Sequence, residues 1–198
     1  DNAQELHHLV NLEVAFCHCL RLTLRRRKLD NVLDRYLTRS EMARVMNSNS
    51  PCNTILLIMG EWLAARRNGL SDILFQTLDQ HINQLAAVLA GCERIANTPP
   101  PFAYSLMLHR TVYCFCIMLP FALVTDLHFM TPFVSVFISY TFIALDTLAE
   151  ELEDPFGTED NDLPLDALCN NIEIDLREMN EEAQKPAKLL PNRHYQLT

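Results

Sequence analysis

Glycine is nearly missing from this chain: Gly60, Gly69, Gly91 and Gly157 are the only four in 198 residues. No two stand close enough to build a turn that cradles a dinucleotide or a nucleoside triphosphate, so both of those fingerprints are excluded. Sustained apolar–polar alternation is also lacking, and with few turn residues the chain reads as all-α. Basic residues are the minority, 16 Lys and Arg against 25 Asp and Glu, for a net charge of −9. The one basic run, Arg25-Arg26-Arg27-Lys28 after Arg21, spreads around a helix and makes no stripe. It therefore reads as a solvated face, and nucleic acid is not a partner. Seven scattered cysteines, an odd number, do not form a disulfide framework and fit a reducing, cytosol-facing setting. Cys17-His18-Cys19 and Cys114-Phe115-Cys116 place ligand types two apart, where helical side chains diverge, so neither is a local metal pair. No nucleophile–base pairing or metalloprotease motif argues for an enzyme.

Charge itself is what the middle of the chain lacks. From Thr111 to Leu148 the only acids are Asp126 and Asp146, and there is no Lys or Arg. Between Phe102 and Val124 only His109 and Arg110 interrupt the apolar character, and Met130–Leu148 forms a second apolar stretch. Crossing a bilayer takes about 20 apolar residues, so the two segments read as a membrane hairpin; buried core helices of a soluble protein are the alternative. The connection Asp126-Leu127-His128 has no Lys or Arg, whereas Arg94 and Arg110 precede it. The positive-inside rule puts both ends of the hairpin in the cytoplasm. Asp146 is then an intramembrane acid, either a functional group facing protein or water, or an interfacial side chain near a helix end.

The first half has helices with polar faces, which suit a soluble bundle. Leu6, Leu9, Val10, Leu12, Val14, Phe16 and Leu20 mark an amphipathic helix ending near the basic run. A short helix passes through Val45 and Met46. The loop Asn47–Pro51 follows, and Asn53 is placed to cap the next helix, which carries Ile55, Leu56, Ile58, Met59, Trp62 and Leu63 towards Asn68-Gly69. Ser71 caps a long helix, Asp72–Ala96, with Ile73, Leu74, Leu78, Ile82, Leu85, Val88 and Leu89 on one broad face. Asn97-Thr98-Pro99-Pro100-Pro101 ends it. Beyond the hairpin, Pro164 opens a last helix with a stripe of Leu165, Leu168, Ile172, Leu176 and Met179. Lys185-Pro186 begins a tail, either disordered or laid along a partner subunit. The expected organisation is 1–98 a cytosolic helical region, 99–149 two membrane helices, 150–184 an acidic junction and cytosolic helix, and 185–198 the tail.

The junction is Glu150-Glu151-Leu152-Glu153-Asp154-Pro155-Phe156-Gly157-Thr158-Glu159-Asp160-Asn161-Asp162. Glu151, Asp154, Glu159 and Asp162 bracket the turn at Gly157 and could converge on a hard cation such as calcium, which takes six to eight oxygens. The order of an EF-hand is absent. A solvated acidic connection is the plainer reading of the same composition.

This junction, following a membrane helix, resembles the signature segment of the bestrophins, above all their bacterial branch. So do Gly91-Cys92-Glu93-Arg94-Ile95-Ala96-Asn97-Thr98-Pro99, Phe102-Ala103-Tyr104 and His109-Arg110, and the stretch from Asp146 to Met179. The resemblance implies one subunit of a homopentameric ion channel, with four membrane helices per subunit, an axial pore and a large helical cytosolic region. The family's first two membrane helices are expected to precede Asp1, which makes the chain the later part of a longer protein. Ser71-Asp72-Ile73-Leu74-Phe75 resembles the cytoplasmic aperture segment, with Ile73 as the constriction. Animal members hold calcium in a clasp; by position Glu159 and Asp162 would offer side chains, and Glu151 and Asp154 carbonyls. Glu159 replaces an Asp of the animal members, and bacterial members are not expected to depend on calcium, so no cofactor is required. Animal members pass anions, whereas bacterial members like this one favour monovalent cations, towards which the acidic balance leans. The expectation is a multi-pass inner-membrane channel of sodium type, its non-membrane bulk cytoplasmic. A non-conducting, membrane-anchored helical module that binds partners is the alternative. A metal-dependent hydrolase at the acidic turn is a weaker one.

Overall fold

The structure is a computed structural model and describes residues 2–29, 32–98, 101–159, 161–182, 185–191 and 197. Its helices are α1 (Asn2–Leu24), α2 (Arg39–Met46), α3 (Pro51–Ala65), α4 (Asp72–Asn97), α5 (Phe102–Leu127), α6 (Thr131–Glu151) and α7 (Leu165–Met179). Single 3₁₀ turns lie at Leu33–Arg35, Arg67–Gly69 and His128–Met130, and no strand occurs among the described residues. Two compact units result, Asp1–Asn97 with Leu163–Thr198, and Thr98–Asp162.

In the first unit α1 is the central rod, with α3, α4 and α7 packed around it. Leu12, Val14, Ala15, Phe16, Cys19 and Leu22 are all buried, and no residue from His8 to Arg25 is exposed. The amphipathic reading of α1 is therefore corrected: a helix enclosed by others needs no polar face over its middle, and Leu6, counted on the apolar face, is exposed. Arg21 and Arg25 are likewise not a solvated face. Both donate to Asp166 on α7, Arg21 at 2.5 Å.

Local chemistry sets the helix starts. Thr38 caps α2 in a reciprocal capping box with Glu41, a Thr-x-x-Glu signal legible in the sequence that the reading above passed over. α3 starts at Pro51, preceded by Ser50, not at Asn53: proline at the first helical position has its φ already set and wastes no N–H donor. It closes at Ala65, ahead of the 3₁₀ turn. The Ser71 hydroxyl accepts the Leu74 N–H at 3.3 Å, the expected cap of α4. On α4 only Leu89 is fully buried, Ile82 and Leu85 are partly so, and Leu74 and Val88 are exposed. Pro99, Pro100 and Asp160 lie outside the described residues.

α7 departs from its expected stripe. Leu165, Ala167, Cys169 and Glu173 are buried and Leu176 packs on the core, while Leu168, Ile172 and Met179 are exposed. A carboxylate sits on the inward face because its oxygens find donors there. Pro164 stands just before the first helical residue. The described start of the tail touches its own chain: Asn170 Nδ2 donates to the Ala187 carbonyl at 3.0 Å, and Lys185 pairs with Glu178 at 3.3 Å.

The second unit is an antiparallel hairpin, α5 against α6. α5 runs on through Leu127, and the reversal is made by His128, whose φ of 43° lies in the left-handed region. At about 1.5 Å per residue, α5 with 26 residues and α6 with 21 extend about 39 and 32 Å, against about 30 Å of bilayer hydrocarbon. The helical run Phe102–Glu151 reaches a mean hydropathy of 1.7, and its most apolar stretch is not buried. Phe121, Phe133, Phe137 and Tyr140 stand outward. That placement is opposite to a soluble core helix and suits lipid.

Candidate functional site

The acidic turn starts where α6 stops. Residues after Glu151 fold back so that Thr147, Glu150, Glu151, Asp154, Gly157, Thr158, Glu159 and Asp162 line one cavity of about 610 Å³. The four carboxylates singled out in sequence thus share one chamber. Two are already engaged. Asp162 Oδ2 accepts the Glu159 N–H at 2.6 Å, and Glu151 Oε2 accepts Asn161 Nδ2 at 2.6 Å. A Cβ at Gly157 would press on the Asp162 carboxylate, so a larger residue there would have to displace that side chain. No group of three or more His, Cys, Asp or Glu side chains converges as a metal cluster among the described residues. The carboxylates line an acidic pocket held by hydrogen bonds within the turn itself.

Asp146 is not alone. His109 Nδ1 and Asp146 Oδ2 lie 2.5 Å apart across the hairpin, and at the next level Ser105 Oγ donates to Glu153 Oε1 at 3.4 Å. The pair neutralises polarity that lipid would not tolerate. In the sequence His109 stands out only as an interruption of an apolar run. Antiparallel geometry would have found it: early in α5 and late in α6 are the same depth.

Ile73 lies in the first turn of α4 and is 80% exposed, so it is no core residue of its own subunit. Thr77 Oγ1 donates to its carbonyl at 2.9 Å, and Arg67 lies 4.9 Å over the Phe75 ring, steadying the turn that presents it.

A family model described as Bacterial/Fungal Bestrophin protein matches residues 1–178. The chain belongs to the bestrophin family. Among bestrophin relatives, it is 67% identical over 199 residues to the voltage-dependent anion channel-forming protein YneE of Escherichia coli (strain K12), covering 100% of this chain and 66% of that one. A voltage-dependent anion channel-forming protein of Mesorhizobium japonicum is 44% identical over 181 residues, 90% of this chain and 57% of its own. A crystal structure of a bacterial bestrophin homolog from Klebsiella pneumoniae superposes with a TM-score of 0.86 at 50% identity, over 92% of this chain and 68% of that one. This bestrophin chain therefore spans between 57% and 68% of the length of these relatives.

Proposed function

We propose that this bestrophin chain is the later part of a channel subunit, which in the full-length protein passes ions down their gradient through an axial pore shared by five copies. The supporting observation is the pairing of two surfaces no soluble monomer would carry: a hairpin most of whose large apolar side chains stand outward, and an aperture turn that holds Ile73 off the subunit. Lipid covers the first. A ring of Ile73 side chains around a symmetry axis makes the second a constriction that limits ions by size and by dewetting. Both ends of the hairpin face the cytoplasm of a bacterial inner membrane, and no chemical turnover and no divalent ion is required.

For the permeant ion we propose a monovalent cation of sodium type. The net charge of −9 and the acidic chamber after α6 support it, because focused negative potential concentrates cations. Anion passage is the second reading, favoured by the names of the Escherichia coli and Mesorhizobium relatives. Reversal potentials of the full-length protein in bilayers with a sodium chloride gradient separate them: the potential moves towards the sodium equilibrium value in the first case and towards the chloride value in the second. A silent, monomeric full-length protein would refute the channel and leave the membrane-anchored partner-binding module.

A further inference from the structure

Three elements of the first unit meet at one buried carboxylate. Tyr36, just after the first 3₁₀ turn, donates its hydroxyl to Glu173 Oε2 at 2.9 Å. Arg177, one turn along α7, donates Nε to Glu173 Oε1 at 2.8 Å, and its Nη1 reaches Glu182 Oε2 at 2.5 Å. From α1, His18 Nε2 stands 3.5 Å from Glu173 Oε2, and the imidazole stacks on the Tyr36 ring with centroids 5.4 Å apart and planes 12° apart. Both Glu173 oxygens therefore have donors, which is what allows a carboxylate on the inward face of α7.

The other side of the imidazole differs. His18 Nδ1 is buried and has no hydrogen-bond partner among the described residues. A neutral imidazole carries one N–H and one lone pair. With the proton on Nε2, facing Glu173, the bare Nδ1 needs nothing. A second proton would create a buried N–H with no acceptor, a costly group wherever it arises. The charged groups around the ring are Arg21 on α1 and Asp166, Glu173 and Arg177 on α7, with the Tyr36 phenol as the remaining titratable neighbour.

We propose that His18 is a proton-operated latch on α7: the neutral imidazole permits α7 to dock on α1 through Glu173, and a proton on Nδ1 releases it. Burial, and then the Arg21 charge, hold His18 below the ordinary imidazole range against the opposing pull of Glu173 and Asp166. The docked form thus binds the proton less readily than the undocked form. Docking is strongest above the free-imidazole range and weakens as pH falls through it. Glu173 does not compete for that proton. Burial raises its carboxyl, but the bonds from Arg177 and Tyr36 outweigh burial and keep it low. In the chain α7 follows directly on the acidic turn, so the latch governs one anchor of that segment.

The test is amide hydrogen exchange of the full-length protein in detergent, read by mass spectrometry from about pH 8 to about pH 5 after correction for intrinsic rates. Peptides within Leu165–Met179 should lose protection several-fold on acidification, while α3 peptides hold theirs. In His18→Gln, whose amide still donates to Glu173 but cannot titrate, α7 protection should stay level across the range. His18→Phe, which keeps the stack on Tyr36, serves if the glutamine variant misfolds, with the same expectation. Level α7 protection in the wild type, an equal acid loss in the variant, or parallel loss from α3 would each overturn the latch.

Discussion

The bundle around α1 and the α5–α6 hairpin use the same apolar residue types in opposite ways. In the bundle Leu12, Leu33, Ile55 and Val45 are wholly enclosed. In the hairpin most large side chains stand outward, Phe137 being 72% exposed, and among its described residues the buried ones are Thr131 and Ser135. Thr131 reaches back to the Leu123 carbonyl at 3.4 Å. Water drives large apolar groups inward and lets polar ones stay out. Lipid supplies no such drive between helices, so small residues that permit close approach occupy the contact instead. The contrast identifies the solvent of each unit more directly than average composition does.

The contrast can be broken by substitution, and the largest effect belongs to the bundle. Leu12→Ala leaves a cavity in the centre of α1's packing and should cost about 2–5 kcal/mol in denaturant unfolding. Phe137→Ala, an equal or larger truncation, should cost well under that in detergent; equal losses would mean that the hairpin is a water-soluble core after all. Phe137→Arg tests the same surface in the membrane, with an insertion penalty of about 2.5–3.5 kcal/mol at mid-span, seen as protein lost from the membrane fraction. A solvated hairpin would accept the arginine without penalty.

Glu13 sharpens the bundle side. Burial raises its carboxyl, and His81 pulls the other way. A carboxyl raised in the folded state binds its proton more readily folded than unfolded, so it opposes stability once pH rises above the unfolded value. Glu13→Gln should therefore raise the melting temperature near about pH 7 and give no gain below about pH 4; a pH-independent gain would show that the ionised carboxyl is not what costs. The smallest effect on stability is at the aperture: Ile73→Ala should change unfolding by less than about 0.5 kcal/mol. In bilayers the same variant of the full-length protein should pass larger ions than wild type, and unchanged permeability would remove Ile73 from the pore.

Much of this was readable from residue order. The hairpin follows from the nearly uncharged length between Thr111 and Leu148, the α4 start from Ser71-Asp72, and the acidic turn from carboxylates around Gly157. The errors about which helix faces are buried have one cause. Periodicity finds a buried stripe only when one side of a helix faces water and when burial prefers apolar atoms. α1 violates the first condition, being enclosed on all sides. α7 violates the second, because Tyr36 and Arg177, distant in sequence or on the next turn, make an inward Glu173 tolerable. His109 was missed for a related reason, its partner Asp146 lying on the other arm of the hairpin.

Residue order by itself determined the helical class, the membrane-compatible hairpin and the family, because each rests on local length, charge and motif. Only the tertiary structure decided that Glu151, Asp154, Glu159 and Asp162 share one chamber with two of them already bonded, that Asp146 meets His109, that Ile73 stands free, and that His18 keeps one bare nitrogen. Those facts depend on which side chains arrive from elsewhere in the chain, and hydrogen-bond donors brought by another helix leave no local trace in the segment they satisfy.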